Sequence, residues 1–325
     1  MKFHVFPAAA FAPLALLLTT CGSAQVPQAQ QSAPAAAAAP VAAPAADALN
    51  AHPALWEVSD ADTHIYLFGT IHILKPDVRW FGGPVEKAFD SADTLVLEMG
   101  EPPQDEMQKL AINMALNAPD KPALSTRFDE GQKAKYIAAM DGLGLPWASF
   151  ERFKPWFMAL TLSVTTVTKL GYQPDSGAEK VLTAKAKEQG KTIMGLETAA
   201  QQLGFMDGLP QDDQMAFLTS TVDELPDTQT EFPRMIGTWA QGKPDALAAI
   251  VNDGLATSPG VAKALLFDRN LRWADWIKAR LAKPGTVFIA VGAGHLAGKN
   301  SVLDDLKKLG VKSRRVDDGE KRTVH

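Results

Sequence analysis

The sequence carries one short motif twice, a glycine followed three residues later by a histidine. The copies are Gly-Thr-Ile-His, ending at His72, and Gly-Ala-Gly-His, ending at His295, and an isoleucine or leucine follows each. Their glycines, which let the backbone turn sharply or approach a ligand closely, are Gly69, Gly292 and Gly294. Because imidazole is both a general base and a metal ligand near neutral pH, this pair is the first candidate for a reaction centre.

Two glutamates stand in comparable positions after other apolar runs. Glu98 ends the run Thr94–Leu97, and Glu197 ends the run Thr192–Leu196. Such runs predict buried strands, and ligands in open α/β sheets bind beyond the carboxyl ends of the strands. We therefore expect both glutamates and both histidine motifs to converge at one edge of a sheet.

This set of side chains allows more than one chemistry. Two imidazoles and a carboxylate hold Zn²⁺, Mn²⁺ or Co²⁺ with an open position for water, which becomes a nucleophile near neutral pH. A histidine oriented by a glutamate is also a general base without a metal. In a third alternative, His72 or His295 ligates haem iron and the protein binds a ligand without turnover.

Hydrophobic patterning predicts the elements that position these residues. Leu55–Val58 and Ile65–Phe68 predict a hairpin, because the residues between them favour a turn. An apolar strand at 287–291 and an edge strand at 311–316 follow late in the chain, whereas about 103–285 is mostly helical. We predict an α/β fold: a central mixed, mostly parallel sheet covered by helices, with a large helical insertion or cap.

The first fifty residues differ in composition from the rest. Residues 1–20 have a lysine and then an apolar stretch, which is typical of a signal peptide. Residues 21–50 form an Ala/Pro-rich tether, and 51–325 form a single domain. Cys21 fits a lipidation site, with cleavage after Ala24 as the alternative. The expected location is the periplasm, free or anchored to a membrane by lipid.

Composition excludes several classes of protein. The 325 residues are 46% hydrophobic and carry a formal net charge of -5, so no basic surplus indicates nucleic-acid binding. Cys21 is the only cysteine, which excludes an intrachain disulfide framework and a cysteine zinc cluster. Any metal would need His, Asp, Glu or water as ligands.

Seven segments together resemble the TraB/PrgY/GumN family. They are ALWEVSDADTHIYLFGTIHIL (54–74), TLVLEM (94–99), RFKPWFMALTLS (152–163), GYQPDSGAEKVL (171–182), GLET (195–198), FDRNLRWADWI (267–277) and TVFIAVGAGHLAG (286–298). Members include exported bacterial GumN-like proteins and animal Tiki proteins, described as metal-dependent proteases that need two GxxH motifs and a glutamate. The wider superfamily includes hydrolases that resemble erythromycin esterase and use His and Glu without metal, and haem-binding lipoproteins.

The resemblance implies roles for particular residues. His72, His295 and Glu98 match the family's metal-ligating positions, with Glu197 as a further ligand or general base. It implies an exported hydrolase with a divalent metal (Mn, Co or Zn) that acts on a peptide, or on another small-molecule substrate.

Five further polar residues are candidates for substrate binding. Arg269 and Asn270 lie in a Trp-rich helix, where a cation would hold a carboxylate or oxyanion. A salt bridge that ties the helical cap to the sheet is an equally good interpretation of this cation. Lys154 replaces an arginine that is common in the family, so the charge remains but bidentate anion binding does not. Asp175 and Glu179 are four residues apart and could share or cap a helix, which makes a structural role the favoured interpretation.

Overall fold

The structure is a computed structural model that describes residues 49–100, 102–255 and 259–317, without the side chains of 252–255. The predicted signal peptide, Cys21 and nearly all of the predicted tether lie outside the described residues.

Six strands form one mixed sheet in the order β4-β3-β5-β2-β1-β6. The strands are β1 Leu55–Ser59, β2 Thr63–Thr70, β3 Thr94–Met99, β4 Thr192–Glu197, β5 Gly285–Gly292 and β6 Arg314–Arg315. Strands β2 to β5 run parallel to one another, and β1 is antiparallel to both β2 and β6. The predicted α/β class with a mixed, mostly parallel sheet is confirmed.

The predicted hairpin is present as β1 and β2. Its turn is fixed by Asp60, whose Oδ1 accepts the backbone N–H groups of Asp62 and Thr63 at 3.2 and 3.0 Å. The closing edge strand is shorter than the predicted 311–316, because only Arg314–Arg315 pair with β1.

Helices fill most of the chain between β3 and β5, as the patterning predicts. In chain order, their bounds are α1 Gly83–Ser91, α2 Gln104–Ala115, α3 Glu130–Leu143, α4 Pro155–Lys169, α5 Ala178–Glu188, α6 Ala199–Asp207, α7 Gln211–Glu224, α8 Thr228–Ala240, α9 Pro244–Leu255, α10 Pro259–Ala262, α11 Asp268–Leu281 and α12 Val302–Lys308. A π-helical turn, Lys263–Phe267, joins α10 to α11. Within the described residues, no helix is long and apolar enough to cross a membrane.

The sheet is covered on both faces because its strands alternate between two apolar clusters. Phe68 and Phe288 face one cluster, to which α1, α5 and α8 contribute. Leu67 and Ile289 face the other cluster, in which Trp273 of α11 is buried. The helical block has a third core of its own, built around residues such as Trp156. The carboxyl ends of the parallel strands thus lie beneath this helical cap.

Candidate functional site

The four residues at the strand ends are brought together and buried. Glu98 is the second-last residue of β3, and Glu197 is the last residue of β4. His72 lies two residues beyond the end of β2, and His295 lies three residues beyond the end of β5. Since these strands are neighbours in the sheet, their ends converge. Relative exposures of 3% for His72 and Glu98, 7% for Glu197 and 0% for His295 place the group inside the protein.

Glu98 is held by three donors that keep it ionised. Its Oε1 accepts the N–H of Gly292 at 2.6 Å, and its Oε2 accepts Arg269 at 2.6 Å and Gln202 at 3.2 Å. Burial alone would raise the pKa of Glu98. However, the Arg269 guanidinium, the two imidazoles and the backbone N–H lower this pKa to about 2. Its Oε1 also lies 3.6 Å from Nε2 of His295.

Arg269 is the central cation of the cluster. Its Nε lies 3.1 Å from both oxygens of Glu197, and its Nη2 contacts Oε2 of Glu98 and Oε2 of Glu197 at 2.6 and 2.8 Å. Its Nη1 donates to the carbonyl of Leu265 at 3.0 Å and faces Nε2 of His295 at 3.3 Å. All three guanidinium nitrogens are therefore engaged with protein acceptors. Leu265 belongs to the π-helical turn, an irregularity frequent at functional sites.

The contacts of His295 define its tautomer. Asn270 donates from its Nδ2 to the carbonyl of Asn300 at 2.7 Å, which turns its Oδ1 toward Nδ1 of His295 at 2.6 Å. Nδ1 therefore carries the proton, and Nε2 presents a lone pair toward Arg269, a group that only donates. Burial, together with the charge of Arg269, lowers the pKa of His295 to about 3 despite the opposing charge of Glu98, so the ring is neutral at physiological pH.

His72 has a different environment, because its partner is a carboxylate. Its Nδ1 lies 2.5 Å from Oε1 of Glu179 as an ion-pair contact without hydrogen-bond geometry, and the hydroxyl of Thr70 donates to the same oxygen. Burial opposes protonation, but Glu179 outweighs it, and the pKa of His72 is raised above its ordinary value. Its Nε2 is buried and has no hydrogen-bond partner.

The loop that carries His72 is locked against the start of α5. A Cβ at Gly177 would lie 2.0 Å from the carbonyl oxygen of His72, so only glycine allows this approach. Ala178 donates its N–H to the carbonyl of Ile71 at 3.0 Å. These backbone contacts bring Glu179, in the first turn of α5, beside the imidazole.

A small space at the Cα of Gly292 lies between the side chains of Glu98, His72 and His295. A Cβ at this position would lie 3.1 Å from Oε1 of Glu98, 3.5 Å from Cδ2 of His295 and 3.6 Å from Nε2 of His72. Gly292 has φ -49° and ψ 135°, which any residue adopts, so the conformation of the backbone does not require glycine there. What the missing side chain provides is room between the two histidines and Glu98.

Of the residues that the sequence suggested for substrate binding, some lie at the site and others do not. Asn270 and Glu179 contact the two histidines, as described above. Lys154 pairs with Asp207 at 2.5 Å, and this carboxylate also accepts the indole N–H of Trp156 at 3.2 Å. Asp175 is exposed in the 3₁₀ turn Pro174–Ser176 and shares no helix with Glu179.

Two buried polar residues of the cluster were not among the sequence candidates. Gln202 donates to Glu98 and to Glu197 at 3.2 Å each, and Thr70 holds Glu179. Gln202 follows a capping box at the start of α6, a sequence signal that fixes the helix but not the direction of this amide. Thr70 lies inside the first histidine motif, and its place beside His72 is the only sequence signal that could have identified it as a site residue.

One edge of the cluster reaches solvent. Arg272, whose side chain is 50% exposed, lies 3.6 Å from Oε1 of Glu197. The half-buried ring of Phe205 lies 5.1 Å from the guanidinium carbon of Arg272 and 5.6 Å from that of Arg269. A cavity of about 580 Å³, lined by residues such as Trp80 and Gln241, contains none of the site residues.

The donor atoms of the site fit a metal ion in type but not in arrangement. Among residues 49–100, 102–255 and 259–317, no group of three or more His, Cys, Asp or Glu side chains is arranged to hold one. The chemistry of the donors nevertheless fits a divalent ion. Each imidazole is oriented through Nδ1 by an outer partner, as metal-ligating histidines are, and Nε2 of His72 lacks a partner.

Comparison with known proteins identifies the family of this chain. A model of the TraB/PrgY/gumN family matches residues 54–315. The uncharacterized protein YbaP of Escherichia coli (strain K12) is 27% identical over 255 residues, which are 78% of this chain and 92% of YbaP. An uncharacterized protein of Treponema pallidum (strain Nichols) is 22% identical over 269 residues, 78% of this chain and 80% of that protein. No solved structure matches the chain.

Proposed function

This chain belongs to the TraB/PrgY/gumN family, and from that premise we propose that it is a hydrolase whose reacting water lies at Gly292. The observation that carries the proposal is the buried Nε2 of His72, which has no partner although Nδ1 of the same ring is held against Glu179. A neutral imidazole with a free Nε2 and a carboxylate behind it is the arrangement of a general base.

In the proposed reaction, His72 accepts a proton from water at Nε2. The water oxygen forms a bond to the carbonyl carbon of the substrate, and Glu179 stabilises the imidazolium that results. When the bond from the carbonyl carbon to the leaving nitrogen or oxygen breaks, His72 returns the proton to the leaving group. The carboxylate beside His72 suits this cycle because it makes the ring a stronger base.

The other residues at Gly292 would hold the water in place. Oε1 of Glu98 and Nε2 of His295 are 3.6 Å apart, and both are acceptors. Nε2 of His295 already faces Nη1 of Arg269, whereas Oε1 of Glu98 accepts, among the described residues, only the N–H of Gly292. The water can therefore direct one hydrogen to His72 and the other to Glu98. Arg269 and Gln202 fix Glu98 in its ionised form, so the acceptor is oriented before a substrate arrives.

A metal-dependent form of the same hydrolase is the second candidate. It is favoured by the outer partners of the two imidazoles, Glu179 and Asn270, because these hold Nδ1 of each ring and direct Nε2 into the site. Nε2 of His72 has no partner in the described part of the chain, whereas Nε2 of His295 would have to exchange its contact with Arg269 for the ion. His72, His295 and Glu98 would hold the ion. A bound divalent ion would lower the pKa of water and so supply hydroxide. Peptides are the proposed substrate class, by family resemblance.

The proposal is tested with purified protein on a panel of internally quenched peptides and p-nitrophenyl esters. We expect hydrolysis that falls at least about 100-fold in His72→Ala. Activity that survives EDTA and 1,10-phenanthroline favours the metal-free form. Activity that chelators abolish and Mn²⁺, Co²⁺ or Zn²⁺ restores favours the metal-dependent form. Hydrolysis unaffected by His72→Ala, or no hydrolysis of any substrate, would refute the proposal.

We also propose that the protein is exported and anchored by lipid at Cys21. The support is the sequence of residues 1–24, in which an apolar stretch precedes the single cysteine. Radiolabelled palmitate should enter the wild-type protein and not Cys21→Ser. Equal labelling of both proteins would contradict the anchor, and an unlabelled wild type that is cleaved after Ala24 would indicate simple export.

A further inference from the structure

We propose that Arg272 recognises a carboxylate on the substrate at the edge of the site that reaches solvent. This inference rests on the proposed hydrolase, and it assigns that site an acidic substrate class. It begins from Arg269, whose three nitrogens are already engaged with Glu98, Glu197, Leu265 and His295. A substrate anion would have to displace one of these partners to reach Arg269.

Arg272 is the next cation outward, three residues along α11. Its Nη2 is 3.6 Å from Oε1 of Glu197, which is too long for a hydrogen bond. Glu197 does not depend on Arg272 for its hydrogen bonds, because Arg269 approaches both of its oxygens at 3.1 Å or less and Gln202 donates to one of them. Arg272 is therefore a second positive charge beside two carboxylates that share Arg269, and no hydrogen bond to Glu197 occupies its N–H groups.

Exposure distinguishes Arg272 from its neighbours. Its side chain is 50% exposed, whereas those of Arg269 and Glu197 are 3% and 4% exposed. Phe205 links the two environments, because its ring lies within 5.6 Å of both guanidinium carbons. A group bound at Arg272 is thus one aromatic ring away from the buried charges of the site.

The contact with Phe205 also suits Arg272 to bind a carboxylate. The guanidinium carbon lies 5.1 Å from the centre of the Phe205 ring, and the planar guanidinium presents its N–H groups as the fork that pairs with two carboxylate oxygens. An amide or an ester at the same place would accept from one donor only. The expected substrate therefore carries a carboxylate, as a free acid terminus or an acidic side chain does.

Binding of N-benzoylglycine and its amide, measured by ligand-observed NMR, tests the proposal without requiring turnover. We expect wild-type protein to bind the acid at least about tenfold more tightly than the amide. Arg272→Gln should abolish this preference, and Arg272→Lys should retain part of it. The control is Arg280→Gln on the same helix, because Arg280 contacts the carbonyl of Lys283 and should leave the preference unchanged.

The outcomes separate this inference from the proposed hydrolase. Equal binding of acid and amide by the wild type, or a preference that persists in Arg272→Gln, would overturn the role of Arg272 even if peptides are hydrolysed. A preference for the acid that depends on Arg272, found in a protein that hydrolyses nothing, would support the anion site and refute the hydrolase. Where turnover is found, Arg272→Gln should raise KM for acidic substrates and leave kcat within about twofold.

Discussion

Adding one methyl group at Gly292 should separate folding from activity. The backbone angles of Gly292, φ -49° and ψ 135°, are accessible to alanine, so Gly292→Ala introduces no conformational strain. It should gain roughly 0.4–1 kcal/mol by restricting the unfolded chain. The new Cβ would lie 3.1 Å from Oε1 of Glu98, which must move by a few tenths of an ångström and offsets that gain. We therefore expect a free energy of unfolding within about 1 kcal/mol of wild type.

The effect on catalysis should be far larger. An oxygen that accepts or donates a hydrogen bond at Nε2 of His72 lies about 2.7–3.2 Å away. The added carbon would be 3.6 Å from that nitrogen and 3.1 Å from Oε1 of Glu98, so it fills the space that a water shared by both must occupy. Since displacement of a reacting group by about 1 Å costs on the order of 100-fold, we expect at least that loss in kcat/KM.

The matched control is Gly294→Ala in the same turn. A Cβ at Gly294 would meet only the side chain of Val251, at 3.4 and 3.7 Å, which is ordinary van der Waals contact. Both variants are assayed for initial rates on the best substrate of the peptide and ester panel, and for thermal unfolding. Full activity in Gly292→Ala with an unchanged melting temperature would refute the placement of the reacting water.

Two other perturbations address the charges of the site. Arg269→Met should destabilise the protein by about 3–5 kcal/mol in urea unfolding, because it leaves the buried carboxylates Glu98 and Glu197 without their cation; a loss below about 1 kcal/mol would contradict this. The wild-type rate should fall as pH drops through the raised pKa of His72, since the base must be neutral. Glu179→Gln removes the group that raises this pKa, so the acidic limb of the pH–rate profile should move to lower pH while the plateau falls; an unmoved limb would contradict the pairing.

The position of the site followed from the sequence because parallel strands share one direction. Glu98 and Glu197 end apolar runs, and His72 and His295 follow others, so a parallel sheet had to bring all four to one edge. Local composition was enough to predict each strand, and the parallel direction of the strands then placed the four residues at the same edge of the sheet. No distance between the four was needed for that expectation.

The partners of these residues could not be read from the sequence in the same way. Arg269 contacts Glu98 and Glu197 from the start of α11, directly after the π-helical turn, and no local pattern predicts that turn or the direction of this side chain. The spacing of Asp175 and Glu179 suggested one helix, but Gly177 lies between them as the N-cap of α5 and leaves Asp175 in a separate turn. These features depend on tertiary packing, which overrides local preference.

The order of the strands has a consequence for how the molecule is assembled. Strand β5, Gly285–Gly292, lies between β2 and β3, so Thr63 pairs with Gly285 across more than two thirds of the chain. Contacts so remote in sequence form slowly, because a long loop must close before they are made. A ribosome that has not yet released β5 holds a polypeptide in which the sheet is divided and the reaction centre does not exist. Maturation should therefore be a late, all-or-none event, and chains that end before β5 should accumulate as substrates for quality-control proteases rather than as weak enzymes.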